Sequence, residues 1–257
     1  MDKMATQFTV TGVEGVPLVG AGDNLADLLI SALEKQDLRP AKDDILVVAQ
    51  KVVSKAEGRF LDLSSLEPSV MAVKLARETG KEPHHIEAIL RESNEVVRSK
   101  PGVIVVEHRL GHVLANAGID RSNVDGMGKD DTVLLLPEDP DASAARLKER
   151  FDAHWNSDIG VIIADSVGRA WRLGTVGIAI GVAGLAALDD QRGDPDLFAR
   201  PLEVTITGHA DAIASAATLV MGEGAQATPA ALVSGVKRGE ASTANSIVRP
   251  KSEDMFR

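Results

Sequence analysis

The spacing of apolar residues along the chain changes between two periods, and these changes predict a mixture of strands and helices. Short apolar runs bounded by polar residues are typical of buried strands, and they occur at 44–50, 161–164 and 230–234. Helical spacing begins after Asp23 or Asn24, either of which can cap a helix, and it is carried by Leu25, Leu28, Leu29 and Leu33. These segments predict three strands and one amphipathic helix.

Further elements follow from the same patterns, with proline and glycine marking several of their ends. Helices are predicted at 68–78, 83–95, 142–154 and 210–221. Strands are predicted at 8–10, 103–107, 112–115, 132–136 and 203–207. Because several strands follow one another between about 96 and 136, the sequence favours an α+β fold with mixed sheets over a doubly wound parallel sheet.

Neither a linker nor an internal repeat divides the chain. Residues 112–200 are nevertheless expected to form a smaller inserted lobe, and residues 1–111 with 201–257 a discontinuous main lobe. The chain has no G-x-x-x-x-G-K-[ST] segment and no G-x-G-x-x-G segment after a strand. A nucleotide would therefore bind without a P-loop or a Rossmann motif.

The composition excludes several classes of function. The 257 residues include no cysteine, which rules out disulfides, thiolate zinc sites and a cysteine nucleophile, and the six histidines are scattered, with no pair at ligand spacing within a predicted helix. The net charge of -10 argues against a general nucleic-acid surface or an anionic-membrane surface. Nothing near the first residues resembles a signal peptide, so the protein is expected to be cytoplasmic.

The stretch VIIADSVGRAWRLGTVGIAIG at 161–181 carries the densest candidate chemistry. Asp165 and Ser166 follow a short apolar run, so their side chains are expected at the carboxyl end of a strand, where open sheets present ligands. Arg169 and Arg172 come next, and guanidinium groups beside a cation held by Asp165 would suit a metal–nucleotide or acyl-phosphate site. A structural ion pair between Asp165 and Arg169 explains the same spacing equally well.

Three other clusters are open to two interpretations. Lys51 and Lys55 follow a predicted strand, where they can reach one phosphate chain or lie in a solvated turn, and the turn is favoured. Asp120 and Asn123 share a loop that is either an Asx turn or a ligand site. The glycines of the turn at 222–224 permit an anion-binding nest, although a helix stop accounts for them too.

Taken together, the segments resemble the coenzyme F420-0:L-glutamate ligase family. The similar segments are GVPLV at 15–19, GDNLADLL at 22–29, DILVVAQKVVSKAEGR at 44–59, NAGIDRSNV at 116–124, LLLPEDPDASA at 134–144, the stretch at 161–181, LVMGEG at 219–224 and IVRPKSEDMFR at the end. The ordered set covers nearly the whole chain and is more specific than any single motif.

The resemblance implies the two-lobed, mixed-sheet fold of these ligases and a GTP-dependent reaction. The lactyl carboxylate of coenzyme F420-0 would be phosphorylated, and the amine of L-glutamate would displace phosphate to form an amide. A second, γ-linked glutamate can be added in this family. The resemblance also implies two divalent metal ions, Mg or Mn, and a homodimer that is the stand-alone form of the ligase.

The resemblance assigns site residues as well. Asp120 and Asp165 would share one metal ion, while Ser166 and Glu223 would help to hold the second. Asp165, Arg169 and Arg172 would be catalytic, the arginines orienting the cofactor's phosphodiester or the glutamate carboxylates. The GTP site would be lined by Val16, Pro17, Leu18, Val19, Gln50, Lys51, Lys55, Asn123, Met221, Gly222, Glu223 and Gly224.

Two positions depart from the family pattern. Ser166 stands where the family commonly has Thr, and Ala170 where it commonly has Pro. Serine keeps the hydroxyl of threonine. Ala170 is compatible with a second possibility, a related ligase that uses a different carboxylated acceptor. A nucleotide- or cofactor-binding protein without ligase chemistry is the third possibility.

Overall fold

The protein is described from a computed structural model that covers residues 7–122, 124 and 131–256. Its helices are α1 (Leu25–Lys35), α2 (Gln50–Ala56), α3 (Val70–Thr79), α4 (Pro83–Arg91), α5 (Pro140–Trp155) and α6 (His209–Met221). Its strands are β1 (Thr9–Val13), β2 (Ile45–Ala49), β3 (Phe60–Asp62), β4 (Ser93–Lys100), β5 (Val103–His108), β6 (Val113–Ala115), β7 (Thr132–Leu134), β8 (Gly160–Arg169), β9 (Arg172–Ala183), β10 (Asp189–Asp190), β11 (Ile206–Thr207) and β12 (Ala230–Ser234). The predicted α+β class is confirmed.

A five-stranded sheet in the order β1-β12-β2-β8-β9 forms the centre of the fold. β2 and β8 are parallel, and the other neighbouring pairs are antiparallel. Alternate side chains of β2 enter different cores: Leu46 and Val48 pack in the cluster that contains α1 and α5, while Ile45 and Val47 pack with α6. Burial on both faces explains why β2 and β8 are continuous apolar runs in the sequence.

A third core lies around the small sheet β4-β5-β6 and the pair β3-β7. Helices α3 and α4 contribute to it, and its fully buried side chains include Ile86, Ile89, Ile104 and Val133. The predicted division at 112 and 200 stays a prediction. Strands β8 and β9, which lie between those limits, are hydrogen-bonded in the same sheet as β1, β2 and β12.

Helices α5 and α6 approach β9 closely, at two glycines. A Cβ atom on Gly177 would lie 2.7 Å from the Ala214 carbonyl oxygen of α6. A Cβ atom on Gly181 would lie 2.3 Å from the Pro140 carbonyl oxygen of α5. The missing side chains therefore allow both helices to sit directly on the strand.

Carboxylates in the first turns of the same two helices accept hydrogen bonds from backbone N–H groups of β9. Asp211 of α6 accepts a hydrogen bond from the Ala179 N–H, and Asp141 of α5 accepts one from the Val182 N–H, both at 2.8 Å. The register of β8 and β9 shifts between these positions, which leaves Ile180 as an extra residue on β9. The two carboxylates thus satisfy backbone donors on either side of a β-bulge.

Several predicted elements are wrong in their limits. The turn favoured after β2 is the helix α2, which follows the strand without a break. The helix predicted at 83–95 ends at Arg91, and the residues that follow form β4. The strand predicted at 203–207 is reduced to Ile206–Thr207. None of the helices in the described residues is both long and apolar enough to cross a membrane.

Candidate active site

A cavity of about 1010 Å³ opens at the end of β2, beside the start of α2 and the turn after α6. Twelve of the residues predicted to form the site line its wall: Leu18, Val19, Gln50, Lys51, Lys55, Asp120, Asp165, Ser166, Met221, Gly222, Glu223 and Gly224. These residues come from five separate segments of the chain. The cavity is large enough to hold a nucleotide together with part of a second substrate.

Asp165 lies within β8, where its register partner is Ile178 of β9. The expectation that it ends the strand is wrong, because β8 continues to Arg169 and forms a long hairpin with β9. The interpretation as a structural ion pair is also wrong: the described residues contain no Asp165–Arg169 pair, and Arg169 donates to the Leu173 carbonyl instead, at 3.3 Å. Among the described residues Asp165 has no salt-bridge partner, and it lines the cavity.

The electrostatic surroundings of Asp165 disfavour its charged form. Burial raises the pKa of Asp165 to about 7, although the Ser166 N–H donates to this carboxylate at 2.9 Å. The neighbouring carboxylates Asp120 and Glu223 contribute to this raised pKa, and Lys51 opposes them. Three acidic groups thus share this part of the cavity, and negative charge is in excess there.

Asp120 is held by Lys51 and by its own loop. The Lys51 ammonium lies 2.6 Å from Asp120 Oδ2, and the Ser122 N–H and hydroxyl both donate to Oδ1 at 2.8 Å. Burial raises the pKa of Asp120, but the hydrogen bonds from Lys51 and Ser122 outweigh it and the net pKa is lowered. The Asx turn and the ligand-site interpretation of this loop are compatible, since the same turn presents Asp120 to the cavity.

The turn after α6 supplies the third carboxylate. Glu223 accepts a hydrogen bond from the Ser166 hydroxyl, which joins this turn to β8. Gly222 has φ of 70°, a backbone conformation that glycine adopts readily. The Gly224 N–H donates to the Gln226 side chain at 2.8 Å, so a ligand would have to displace Gln226 to reach that donor of the predicted nest.

The helix α2 places Lys51 and Lys55 on the same side of the cavity. The two residues are separated by one helical turn, both line the cavity, and Lys51 is the second residue of the helix. Gln50 is buried in the wall, and its side-chain amide donates to Ser54 at 2.7 Å. A helical face thus directs both ammonium groups towards one volume.

Five predicted site residues are not part of the described cavity wall. Val16 and Pro17 precede the lining segment, which begins at Leu18. Arg169 and Arg172 are exposed at the end of the β8–β9 hairpin. Asn123 lies outside the described residues. The wall also contains residues that the sequence did not indicate, among them Phe60, Thr175, Thr218 and Thr228.

The oxygen donors of the cavity suit a hard divalent cation. Asp120, Asp165, Glu223 and the Ser166 hydroxyl provide carboxylate and hydroxyl oxygens, the ligands that Mg²⁺ and Mn²⁺ prefer. A cation would also offset the repulsion from Asp120 and Glu223, which adds to the effect of burial on the pKa of Asp165. In the described part of the chain no three His, Asp or Glu side chains converge on one point, so an ion here would have at most two acidic ligands from these residues.

Comparison with known families places this cavity in context. The family model for F420-0:Gamma-glutamyl ligase matches residues 15–235. The chain belongs to the F420-0:gamma-glutamyl ligase family. The match in this ligase family spans all the residues of the cavity wall, from Leu18 to Pro229, and the β8–β9 hairpin.

Curated relatives from archaea match over nearly their full length. The Coenzyme F420:L-glutamate ligase of Methanothermobacter thermautotrophicus is 44% identical over 253 residues, which cover 97% of this chain and 99% of the relative. The protein of the same description from Methanopyrus kandleri is 45% identical, over 95% of this chain and 97% of its own. The one from Methanocaldococcus jannaschii is 38% identical over the whole of both chains.

Proposed function

We propose that this protein is a GTP- and metal-dependent ligase that joins L-glutamate to coenzyme F420-0. Membership of the ligase family and the activity for which its relatives are named support the proposal. The observation that carries it is the placement of Asp120, Asp165 and Glu223 in the wall of one large cavity, beside Lys51. Such a site suits a polyphosphate that arrives with its own cations.

The proposed reaction has two steps. The lactyl carboxylate of F420-0 attacks the γ-phosphorus of GTP, a carboxylate oxygen–phosphorus bond forms, and GDP leaves. The glutamate amine, after losing a proton, then attacks the acyl carbon, the amide bond forms and phosphate leaves. Phosphorylation is needed because a carboxylate oxygen is a poor leaving group until it carries phosphate.

The residues of the cavity have distinct roles in this proposal. Asp120 and Asp165 hold one divalent ion, while Ser166 and Glu223 help to hold a second. The ions supply positive charge that offsets the charge of the transferring phosphoryl group. Lys51 and Lys55 contact the phosphates from the face of α2, and Lys51 exchanges its present partner Asp120 for them.

The backbone around the cavity completes the nucleotide site. The segment that begins at Leu18 and the turn from Met221 to Gly224 border the same volume as the two lysines. Backbone N–H groups in such turns can contact phosphate oxygens without adding charge. The proposed GTP site therefore needs no P-loop.

Mass spectrometry of a complete reaction tests the proposal directly. Purified protein is incubated with F420-0, GTP, L-glutamate and Mg²⁺ or Mn²⁺, with controls that lack the nucleotide or the metal. Addition of glutamyl units in the complete mixture alone, with release of one GDP for each unit, is the expected result. The number of units observed also decides whether a second glutamate is added.

Two other outcomes would replace the proposal with its alternatives. GDP release with other carboxylates, and none with F420-0, would identify a ligase with a different acceptor. Thermal stabilisation by GTP without any turnover would identify a nucleotide-binding protein. An Asp165→Ala variant that retained full glutamylation would contradict the proposed use of the cavity.

A further inference from the structure

The β8–β9 hairpin extends beyond the cavity and ends in an exposed aromatic residue. The Trp171 side chain is 83% exposed, and its residue has φ of 59° at the turn. Its ring lies 5.1 Å from that of Phe256, centroid to centroid, so the last described residues of the chain support one edge of it. An exposed tryptophan face is a favourable stacking surface for a planar ligand.

Two positively charged side chains flank this tryptophan. Arg169 and Arg172 are register partners across the hairpin, which brings two like charges to neighbouring positions. Within the described residues neither guanidinium has a carboxylate partner, although the chain as a whole carries a net charge of -10. Like charges opposite each other in a strand pair are destabilising, so the arrangement indicates an anionic ligand.

We propose that the hairpin end binds the deazaflavin ring and phosphodiester of F420-0, an inference that rests on the proposed function. The ring stacks on Trp171, and the phosphodiester binds between Arg169 and Arg172. The lactyl carboxylate then points along the hairpin to Asp165 and Ser166 in the cavity. The hairpin thus fixes the distance between the ring site and the cavity, so that the lactyl end of the substrate reaches the phosphates of GTP.

The order of groups along the hairpin matches the order along the ligand. The cavity wall includes Ser166 and, on β9, Thr175, the register partner of Gly168. The two arginines come next and the tryptophan last. In F420-0 the phosphodiester likewise lies between the carboxylate and the ring.

The distances are compatible with one bound molecule. Ser166 and Arg169 are separated by three residues of strand, which is about 10 Å along its axis. The lactyl carboxyl carbon and the phosphorus are only about 4 Å apart, because few bonds join them. The remaining ~6 Å is within the reach of the Arg169 side chain once it exchanges its hydrogen bond to the Leu173 carbonyl for one to the phosphodiester.

Equilibrium binding without GTP tests this inference apart from catalysis. The intrinsic fluorescence of F420-0 is titrated with wild-type protein and with Trp171→Ala, Trp171→Phe and Arg169→Ala/Arg172→Ala variants. A second probe is the same deazaflavin without its phospholactyl group. Leu197→Ala is the matched control, since Leu197 is 99% exposed and lies outside the hairpin.

The variants are expected to separate the two contacts. Trp171→Ala should raise the Kd of both probes by roughly 10-fold, whereas Trp171→Phe should stay within about threefold of wild type. The double arginine variant should raise the Kd of F420-0 by a similar factor and leave the Kd of the deazaflavin without its phospholactyl group unchanged. In the complete reaction the KM for F420-0 should rise in each weakened variant, while the KM for GTP stays constant.

Three results would overturn the inference. If Trp171→Ala bound both probes as tightly as wild type, the deazaflavin ring would not bind at the hairpin end. A Trp171→Ala protein that changes its oligomeric state by light scattering, with F420-0 affinity retained, would make the hairpin end an interface between copies of the chain. Failure of wild-type protein to bind F420-0, with GTP binding intact, would instead refute the proposed function itself.

Discussion

The Ser166 hydroxyl donates a hydrogen bond to the Glu223 carboxylate, and this bond fixes the turn after α6 against β8. Ser166→Ala removes the hydroxyl and leaves Glu223 free to move away from the cavity. We expect glutamylation to fall by about 10- to 100-fold, because groups that orient metal ligands contribute by this amount. The effect should be measured as kcat/KM across a titration of Mg²⁺.

Ser166→Thr is the matched control for that variant. Threonine keeps a hydroxyl on the same carbon, so activity within about threefold of wild type is expected. Equal losses in the alanine and threonine variants would show that the side-chain volume, and not the hydroxyl, matters at this position.

The substitution Asp165→Asn should lower activity without lowering stability. The substitution keeps the shape of the side chain but removes a carboxylate crowded by Asp120 and Glu223. Activity should fall by roughly 100-fold or more, while the Tm of the metal-free protein stays equal or rises, because a site built for function carries unfavourable charge. The activity assay and a thermal melt with EDTA check the two halves of this prediction.

A lower Tm in metal-free Asp165→Asn would contradict the view that the carboxylate is repelled in the cavity. Added Mg²⁺ gives a second comparison on the same proteins. It should raise the Tm of wild type more than that of Asp165→Asn, since binding to the native state alone stabilises it.

Gly177→Ala should move α6 away from β9. The new Cβ atom would lie 2.7 Å from both the Ala214 carbonyl oxygen and Thr218 Cγ2, and backbone atoms cannot yield cheaply. We expect the free energy of unfolding to fall by about 1–3 kcal/mol, the usual effect of overpacking. Urea denaturation measures this change, and kcat/KM should fall with it because α6 leads into Glu223.

Gly168→Ala provides the control on the same hairpin. A Cβ atom there meets nothing within 4 Å, so stability close to that of wild type is expected. If both alanine variants unfolded at the same urea concentration as wild type, close packing at Gly177 would not be a constraint.

His85→Leu should reduce the loss of stability in acid. His85 is buried in α4, and its Nε2 atom has no hydrogen-bond partner among the described residues. Burial lowers its pKa to about 4, with Arg121 and Lys81 adding to the shift and Glu82 opposing it. In the unfolded chain the pKa is about 6.5, so between those two values the unfolded state binds more protons and stability falls as the pH falls. The variant should lose less stability from pH 7 to pH 5, by on the order of 1 kcal/mol.

The neighbouring His84 is exposed and serves as the control for this pH dependence. Urea midpoints at several pH values should be the same for His84→Gln and wild type across this range. An identical pH profile for His85→Leu would show that the buried ring is protonated without penalty.

The predicted elements succeed where local pattern and tertiary burial agree. The apolar run of β2 predicts a strand because both faces of β2 are buried. Strand β9 is not predicted from the sequence, because its glycines are locally typical of a loop. Only the close contacts of α5 and α6 with this strand explain them. Helix α2 was missed because Ala49 precedes it and offers no side-chain cap.

The candidate site shows a similar division. Asp120, Asp165 and Glu223 are far apart in the sequence, and their assignment to one site depended on the resemblance to a family and not on spacing. Lys51 and Lys55 looked like part of a turn because the helix that aligns them had no start signal. The separation of Arg169 from Asp165 was not predictable either, since β8 was expected to stop before both.

The position of β12 has a consequence for how the chain acquires its structure. Within the described residues β1 is hydrogen-bonded to β12 alone, with Thr9 opposite Ser234. During synthesis β1 can therefore pair only after residues 230–234 have been synthesised and have left the ribosome. Such long-range pairing slows folding and leaves strand edges open to wrong contacts, so a chaperone or a low synthesis temperature should raise the yield of native protein.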